Sequence, residues 1–219
     1  MSNEQYFYMQ DLLSSSPTSL GLVSNATWHN DPKRLLFSLS RYKFVSKMLK
    51  NRSSVLEVGC GDGWNSRLVS EETQSLTLTD MDPVFVDNAF LNTRSWTNPP
   101  LCKVHDFLSG PLDKKFDSAY ALDVLEHIPS EVESLFIENI KQSCLDKSIV
   151  IFGMPSLESQ QHIDPNKRDP GHINCKSLYE LSTKLTSHFS VVLPFSMNDE
   201  VLHTGHAPMS NYIFSVCIV

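Results

Sequence analysis

The residues that could do chemistry gather behind four short apolar runs. Glu57-Val58-Gly59-Cys60-Gly61-Asp62-Gly63 follows the first run and opens a helical pattern. Glycines there allow a tight turn and let the backbone approach a ligand closely. The spacing excludes a dinucleotide fingerprint, which needs G-x-G-x-x-G; Trp64 stands where the last glycine is required. Asp80 ends the second run, about 20 residues further on, where a carboxylate can accept hydrogen bonds from both hydroxyls of a ribose. Asp106-Phe107 follows the third run: an acid for an exocyclic amine beside an apolar group that packs a ring. Asp123 follows the fourth.

Glu57 beside the turn would gain nothing from a pyrophosphate but would favour a ligand carrying a cationic amine and a sulfonium. Each of these residues also has a plainer reading. Glu57 could cap a turn, Asp80 could cap the helix that Pro83 opens, Asp106 could be a surface turn acid, and Phe107 could be core.

Histidines supply the candidate bases, because an imidazole with a pKa near ~6.5 can take a hydroxyl proton. His172, in Pro170-Gly171-His172-Ile173-Asn174, is the first candidate and His127, in Asp123-Val124-Leu125-Glu126-His127, the second. A loop-ordering hydrogen bond is the alternative for each. His203-x-x-His206 has the spacing of a ligand pair and also that of a flexible loop.

The elements around these residues alternate. Leu35, Leu39, Tyr42, Val45 and Leu49 predict an amphipathic helix with Pro32 in its first turn. Strands are expected at 54–58, 76–79, 101–105, 116–122 and 149–152, the last being the most apolar and therefore central. Helices are expected from Trp64 to Ser70, from Pro83 to Phe90, after a Ser130/Glu133 capping box, and at Leu178, Leu181 and Leu185. A long polar loop runs from Pro155 to Asn174 and carries His162, Asp164 and His172. Late strands near 191–195 and 212–219 have no helical pattern between them and read as an antiparallel pair. The whole predicts an α/β fold, a parallel sheet with helices on both faces. Residues 1–50 are expected to form an arm and a helix on the lid or acceptor side, with residues 51–219 as the ligand-binding domain. The first thirty residues, with the Ser14-Ser15-Ser16-Pro17 run, have little periodicity and read as a loosely structured arm with a short helix around Gln5 to Leu13. Tyr6, Tyr8 and Trp28 suggest a lid that excludes water.

Three stretches resemble class I S-adenosylmethionine-dependent methyltransferases: Val55 to Gly63, Leu78-Thr79-Asp80-Met81-Asp82-Pro83, and Phe116 to Ile128. The resemblance implies a doubly wound, seven-stranded sheet with its last strand antiparallel. It implies S-adenosylmethionine as cofactor, with Gly59 and Gly61 lining the methionine part, Asp80 the ribose, and Asp106 and Phe107 the adenine. Glu57, Met81 and Asp123 complete the expected cofactor contacts. RNA 3′-terminal 2′-O-methyltransferases are similar through E-x-x-E-H and a distant histidine that hold a divalent metal. Here the first acid is Asp123, one methylene shorter, so no metal is expected and Glu126 and His127 are read as ordering the loop. Trp28-His29-Asn30-Asp31 with Arg41-Tyr42-Lys43-Phe44 is also similar to methyltransferases found beside surface-sugar biosynthesis genes.

The expected activity is therefore methyl transfer, by O-methylation, to a small-molecule or glycan-type acceptor. Nucleic-acid methylation is an alternative that the charge opposes: 25 acidic against 18 basic residues leave no large basic face for a phosphate backbone. A non-catalytic binding module is the other alternative. Five dispersed cysteines without a C-x-x-C pair read as reduced thiols, and no apolar run approaches membrane-spanning length. With an N-terminus unlike a signal peptide, the expectation is a soluble cytoplasmic protein.

Overall fold

A computed structural model of the protein describes residues 3–13 and 18–219. The Ser-rich run at 14–17 lies outside them. Eight strands form one sheet in the order β3-β2-β1-β4-β5-β8-β6-β7. The parallel part comprises β1 (Val55–Val58), β2 (Leu76–Asp80), β3 (Leu101–Val104), β4 (Phe116–Leu122) and β5 (Cys144–Pro155). β8 (Tyr212–Ile218) runs antiparallel between β5 and β6 (Val191–Asn198). The eighth strand is β7 (Val201–His203), a three-residue edge piece that folds back on β6. It turns the expected seven strands into eight. Its segment is too short to show a period of two, so only pairing to β6 reveals it.

Helices cover both faces. α3 (Lys33–Met48), α4 (Arg67–Ser70) and α5 (Pro83–Thr93) lie on one, α6 (Glu133–Gln142) and α8 (Leu178–Thr186) on the other. Strand alternation splits the core between the faces: Val55 and Tyr120 point to the α3 side, Leu56 and Ala119 to the α6 side. β5 is central, as its composition predicts, with Val150, Ile151 and Phe152 fully buried.

The structure corrects several local expectations. α1 (Asn3–Leu13) matches the predicted short helix, but α2 (Leu22–Asn30) was expected to be irregular. Its first turn is satisfied from far away: Leu22 N–H donates to Asn88 Oδ1 and Ser24 N–H to Asp62 Oδ2 at 2.7 Å. Tertiary partners thus cap a helix whose own sequence lacks a cap. α4 starts three residues late, because Asp62 Oδ1 accepts from Trp64 N–H and holds the turn open. The expected Ser130/Glu133 capping box is absent: Val132 is the N-cap and makes no side-chain bond. Glu133 is instead buried against Lys176 and Lys184, at 3.2 and 3.7 Å. A capping box does form at Ser177 and Glu180, opening α8. The polar stretch after β5 contains α7 (Leu157–His162), capped by Ser156, whose hydroxyl accepts from Ser159 N–H. No described helix is long and apolar enough to cross a membrane.

Candidate active site

From β1 the chain winds outward to β3, then returns to place β4 on the other side of β1. The crevice at this reversal, beyond the carboxyl ends of the strands, is where open α/β sheets bind ligands. A cavity of about 590 Å³ occupies it. Its wall includes Gly59 and Gly61 after β1, Asp80 and Met81 at the end of β2, Asp106 and Phe107 after β3, and Asp123 and His127 after β4. Residues from four separate strand ends are thus brought together by the order of the sheet.

The glycine turn is held from two sides. Gly59 has φ +74°, and a Cβ there would lie 2.3 Å from Val124 Cγ2. The turn can therefore pass the end of β4 only without a side chain. Asp80 Oδ2 accepts from Gly61 N–H and its Oδ1 from Asp82 N–H, both at 3.0 Å. Asp80 is not the cap of α5; Asp82 takes that role, accepting from Val84 N–H at 2.8 Å. Each Asp80 oxygen keeps further acceptor capacity for a ligand hydroxyl. Asp106 Oδ1 accepts from Leu108 N–H. Phe107 is 1% exposed, and its ring meets those of His105 and Phe136. It serves as core and cavity wall at once. Met81 is 67% exposed at the rim.

Asp123 adopts φ +56° and is gripped by Arg41 of α3, whose Nη1 reaches its two oxygens at 3.1 and 3.0 Å. The Arg41 guanidinium stacks 3.8 Å over the ring of Tyr212 in β8. One side chain therefore ties the helix before the sheet to two strand ends.

Two expected site residues do not reach the cavity wall: Glu57 and His172. Glu57 is buried between hydroxyls donated by Tyr42, at 2.7 Å to Oε1, and by Tyr120 to Oε2. Burial pushes its carboxyl up to about 7, against the opposing pull of these hydroxyls. Tyr42 itself lines the cavity, so Glu57 stands behind the wall rather than in it. His172 Nδ1 lies 3.2 Å from Gln160 Oε1 and its Nε2 3.8 Å from Asp169. Burial holds its imidazole below the ordinary value. His127 does line the cavity. Its Nδ1 lies 2.8 Å from the Gly171 carbonyl oxygen, which fixes the proton on Nδ1 and leaves Nε2 as an acceptor. A Cβ on Gly171 would fall 2.9 Å from that Nδ1, so the close approach needs glycine.

Glu126, His127 and His172 bring one ligand atom each within 4.8 Å of the others. Glu126 is fully buried, and neither carboxylate oxygen has a hydrogen-bond partner among the described residues. Burial, and after it the Asp123 carboxylate, hold Glu126 well above the usual carboxylate range. Two imidazoles and a partnerless carboxylate are a donor set that fits a divalent cation. His203 is not paired with His206; its Nδ1 lies 3.1 Å from the Ser196 hydroxyl.

Several wall residues carry no local signal in the sequence: Val23 and Ser24 of α2, Ser38 of α3, Asn65 and Phe85. Asn65 comes from the turn before α4, and the others reach the cavity through helix packing. Tyr42 was legible only as a core position of its helix.

A family model described as a methyltransferase domain matches residues 27–185. Among solved structures, the N-methyltransferase NodS from Bradyrhizobium japonicum WM9, in complex with S-adenosyl-L-homocysteine, is similar with a TM-score of 0.63 at 17% identity, over 99% of this chain and 98% of that one. The methyltransferase domain of bacterial CtHen1-C gives 0.69 at 16% identity, over 84% and 98%. An S-adenosylmethionine-dependent methyltransferase from Clostridium acetobutylicum ATCC 824 gives 0.67 at 10% identity, over 99% and 98%. Identities this low establish a common fold. No curated protein matches the chain in sequence.

Proposed function

This chain belongs to the class I S-adenosylmethionine-dependent methyltransferases, and from that premise we propose that it O-methylates a small-molecule or glycan-type acceptor at the His127 end of the cavity. S-adenosylmethionine supplies a methyl carbon already activated by a sulfonium. The chain's task is to hold both reactants, with the nucleophile about 3–3.5 Å from that carbon. In this reading the Gly59 and Gly61 backbone flanks the methionine part, with Asp123 at its far end. Asp80 accepts from the ribose hydroxyls. Met81, Asp106 and Phe107 enclose the adenine. Glu57 acts from behind, by fixing Tyr42.

The observation that carries the reading is that His127 lines the cavity with its Nε2 left as an acceptor. Its Nδ1 is committed to the Gly171 carbonyl, so Nε2 is left to accept a hydroxyl proton. His172 Nδ1 is engaged in the same way, by Gln160 Oε1, but His172 does not reach the cavity wall. The proposal therefore takes His127 as the base and His172, its ring 5.1 Å away, as the residue that orients it, the reverse of the order expected from the sequence. The acidic balance of the chain supports a small acceptor over a nucleic acid.

The test is release of S-adenosylhomocysteine in a screen of metabolite extracts. His127→Ala should lower turnover by roughly 10²–10⁴-fold, the usual worth of a general base, while S-adenosylmethionine affinity stays near its starting value. Full turnover in that variant rejects the base role. A larger loss in His172→Ala than in His127→Ala restores the original order.

The partnerless Glu126 carboxyl favours a second reading, in which Glu126, His127 and His172 would hold a divalent cation that lowers the pKa of the acceptor hydroxyl. Dialysis against EDTA separates the two. Unchanged turnover supports the base alone; a loss restored by Mg²⁺, Mn²⁺ or Zn²⁺ supports the cation.

A further inference from the structure

A second cavity, of about 420 Å³, lies beside the first. One face of α2, the first turn of α3 and Phe85 of α5 form its walls. Val23 and Phe85 belong to both cavities, so one molecule can extend across the two. The smaller cavity combines an aromatic ring, Phe85, with Asn30, Asp31 and Arg34. Arg34 is exposed and, among the described residues, its guanidinium has no ion-pair partner. Arg41 and Arg67, by contrast, are held by Asp123 and Glu71. Arg34 also acts on His172, whose protonated form its charge disfavours.

We propose that this groove is the outer acceptor subsite and that it selects a sugar bearing a carboxylate. The proposal rests on the O-methyltransferase reading above. A guanidinium presents a rigid fork of donors that matches a carboxylate bidentately. Asn30 offers an amide that donates and accepts, as ring hydroxyls require. The Phe85 ring covers the apolar C–H face of a pyranose. Asp31, in the same wall, repels the carboxylate from any pose except the one facing Arg34, which sets the orientation. A nucleic-acid end also brings negative charge, but a chain with net charge -7 repels a polyanion.

The experiment uses the full chain saturated with S-adenosylhomocysteine. Affinities are measured by calorimetry for methyl β-D-glucuronide, methyl β-D-glucoside and a short oligoribonucleotide. The glucuronide should bind about tenfold more tightly than the glucoside, the worth of one well-formed charged pair. Arg34→Ala should erase that preference and Arg34→Lys should keep part of it, with S-adenosylhomocysteine affinity unchanged in both. Equal binding of the two sugars, absence of glucuronide binding, or a preference that survives Arg34→Ala overturns the subsite. An oligoribonucleotide that binds more tightly than the glucuronide overturns it in favour of a nucleic-acid acceptor. Failure of the wild-type chain to bind S-adenosylhomocysteine would instead strike the functional reading itself.

Discussion

Replacing Asp80 by alanine should break two arrangements together, and their sizes can be separated. The carboxylate accepts from Gly61 N–H and from Asp82 N–H, each at 3.0 Å. Hydrogen bonds to a charged group contribute about 1.5–3 kcal/mol each, and a half-buried pair belongs at the low end, so the folded state should lose about 3 kcal/mol. For a chain of this length that lowers Tm by roughly 6–12 °C. The same oxygens are proposed to accept from the ribose. Losing those bonds should weaken S-adenosylhomocysteine binding by a further ~1.5–3 kcal/mol, roughly 10–150-fold in Kd. Asp82→Ala is the control. It removes the α5 cap, at about 1 kcal/mol, but leaves the bond to Gly61 intact. Scanning calorimetry reads the first effect and titration calorimetry the second. Unchanged affinity in Asp80→Ala would remove Asp80 from the cofactor site. An equal loss of affinity in Asp82→Ala would show that loop order, and not a ribose contact, governs binding.

Three further outcomes are expected. Gly59→Ala should abolish S-adenosylhomocysteine binding, because φ +74° disfavours a side chain and Val124 leaves it only 2.3 Å; retained affinity by calorimetry would refute the close approach. Glu57 titrates near 7 when folded, against 4.5 for the free group, so the native state holds the extra proton between those values. Its contribution to stability is complete below about 4.5 and is lost as pH rises through 7. That loss is about 3 kcal/mol, and Glu57→Gln should remove the slope. Urea midpoints of the two proteins that run parallel from pH 4.5 to 8 would contradict it. The segment before α3 is proposed to act as a lid: α2 is already docked on Asp62, and Tyr6, Tyr8 and Trp28 are exposed. S-adenosylhomocysteine should slow proteolysis within residues 1–30, and equal cleavage with and without it would exclude a lid.

Much of the site could be read in the chain because strand ends are marked by their own residues. Glycines after an apolar run, an acid closing the next run, and Asp106-Phe107 after the third each report a local backbone requirement. Every expected cofactor contact except Glu57 lies on one cavity wall. Glu57 has the sequence position of a ligand contact, but Tyr42 and Tyr120, 15 and 63 residues away, claim both oxygens. The sequence ranks His172 ahead of His127, and the proposed base reverses that order. Which imidazole reaches the cavity depends on the path of the 155–174 loop, and loop backbones carry no period from which to infer it.

The sequence by itself determined the features that short-range rules govern: the alternation of strands and helices, the glycine turn, the central strand, and the family those motifs belong to. These depend on propensity and periodicity within a few residues. The tertiary structure alone decided the features that depend on contacts between distant segments. It capped α2 with Asp62 and Asn88, drew Glu133 away from a capping box toward Lys176 and Lys184, and paired Arg41 with Asp123 across 82 residues. Buried polar groups must find partners wherever the fold brings them. A side chain's role at such a position is set by its neighbours in space, and those are not its neighbours in the chain.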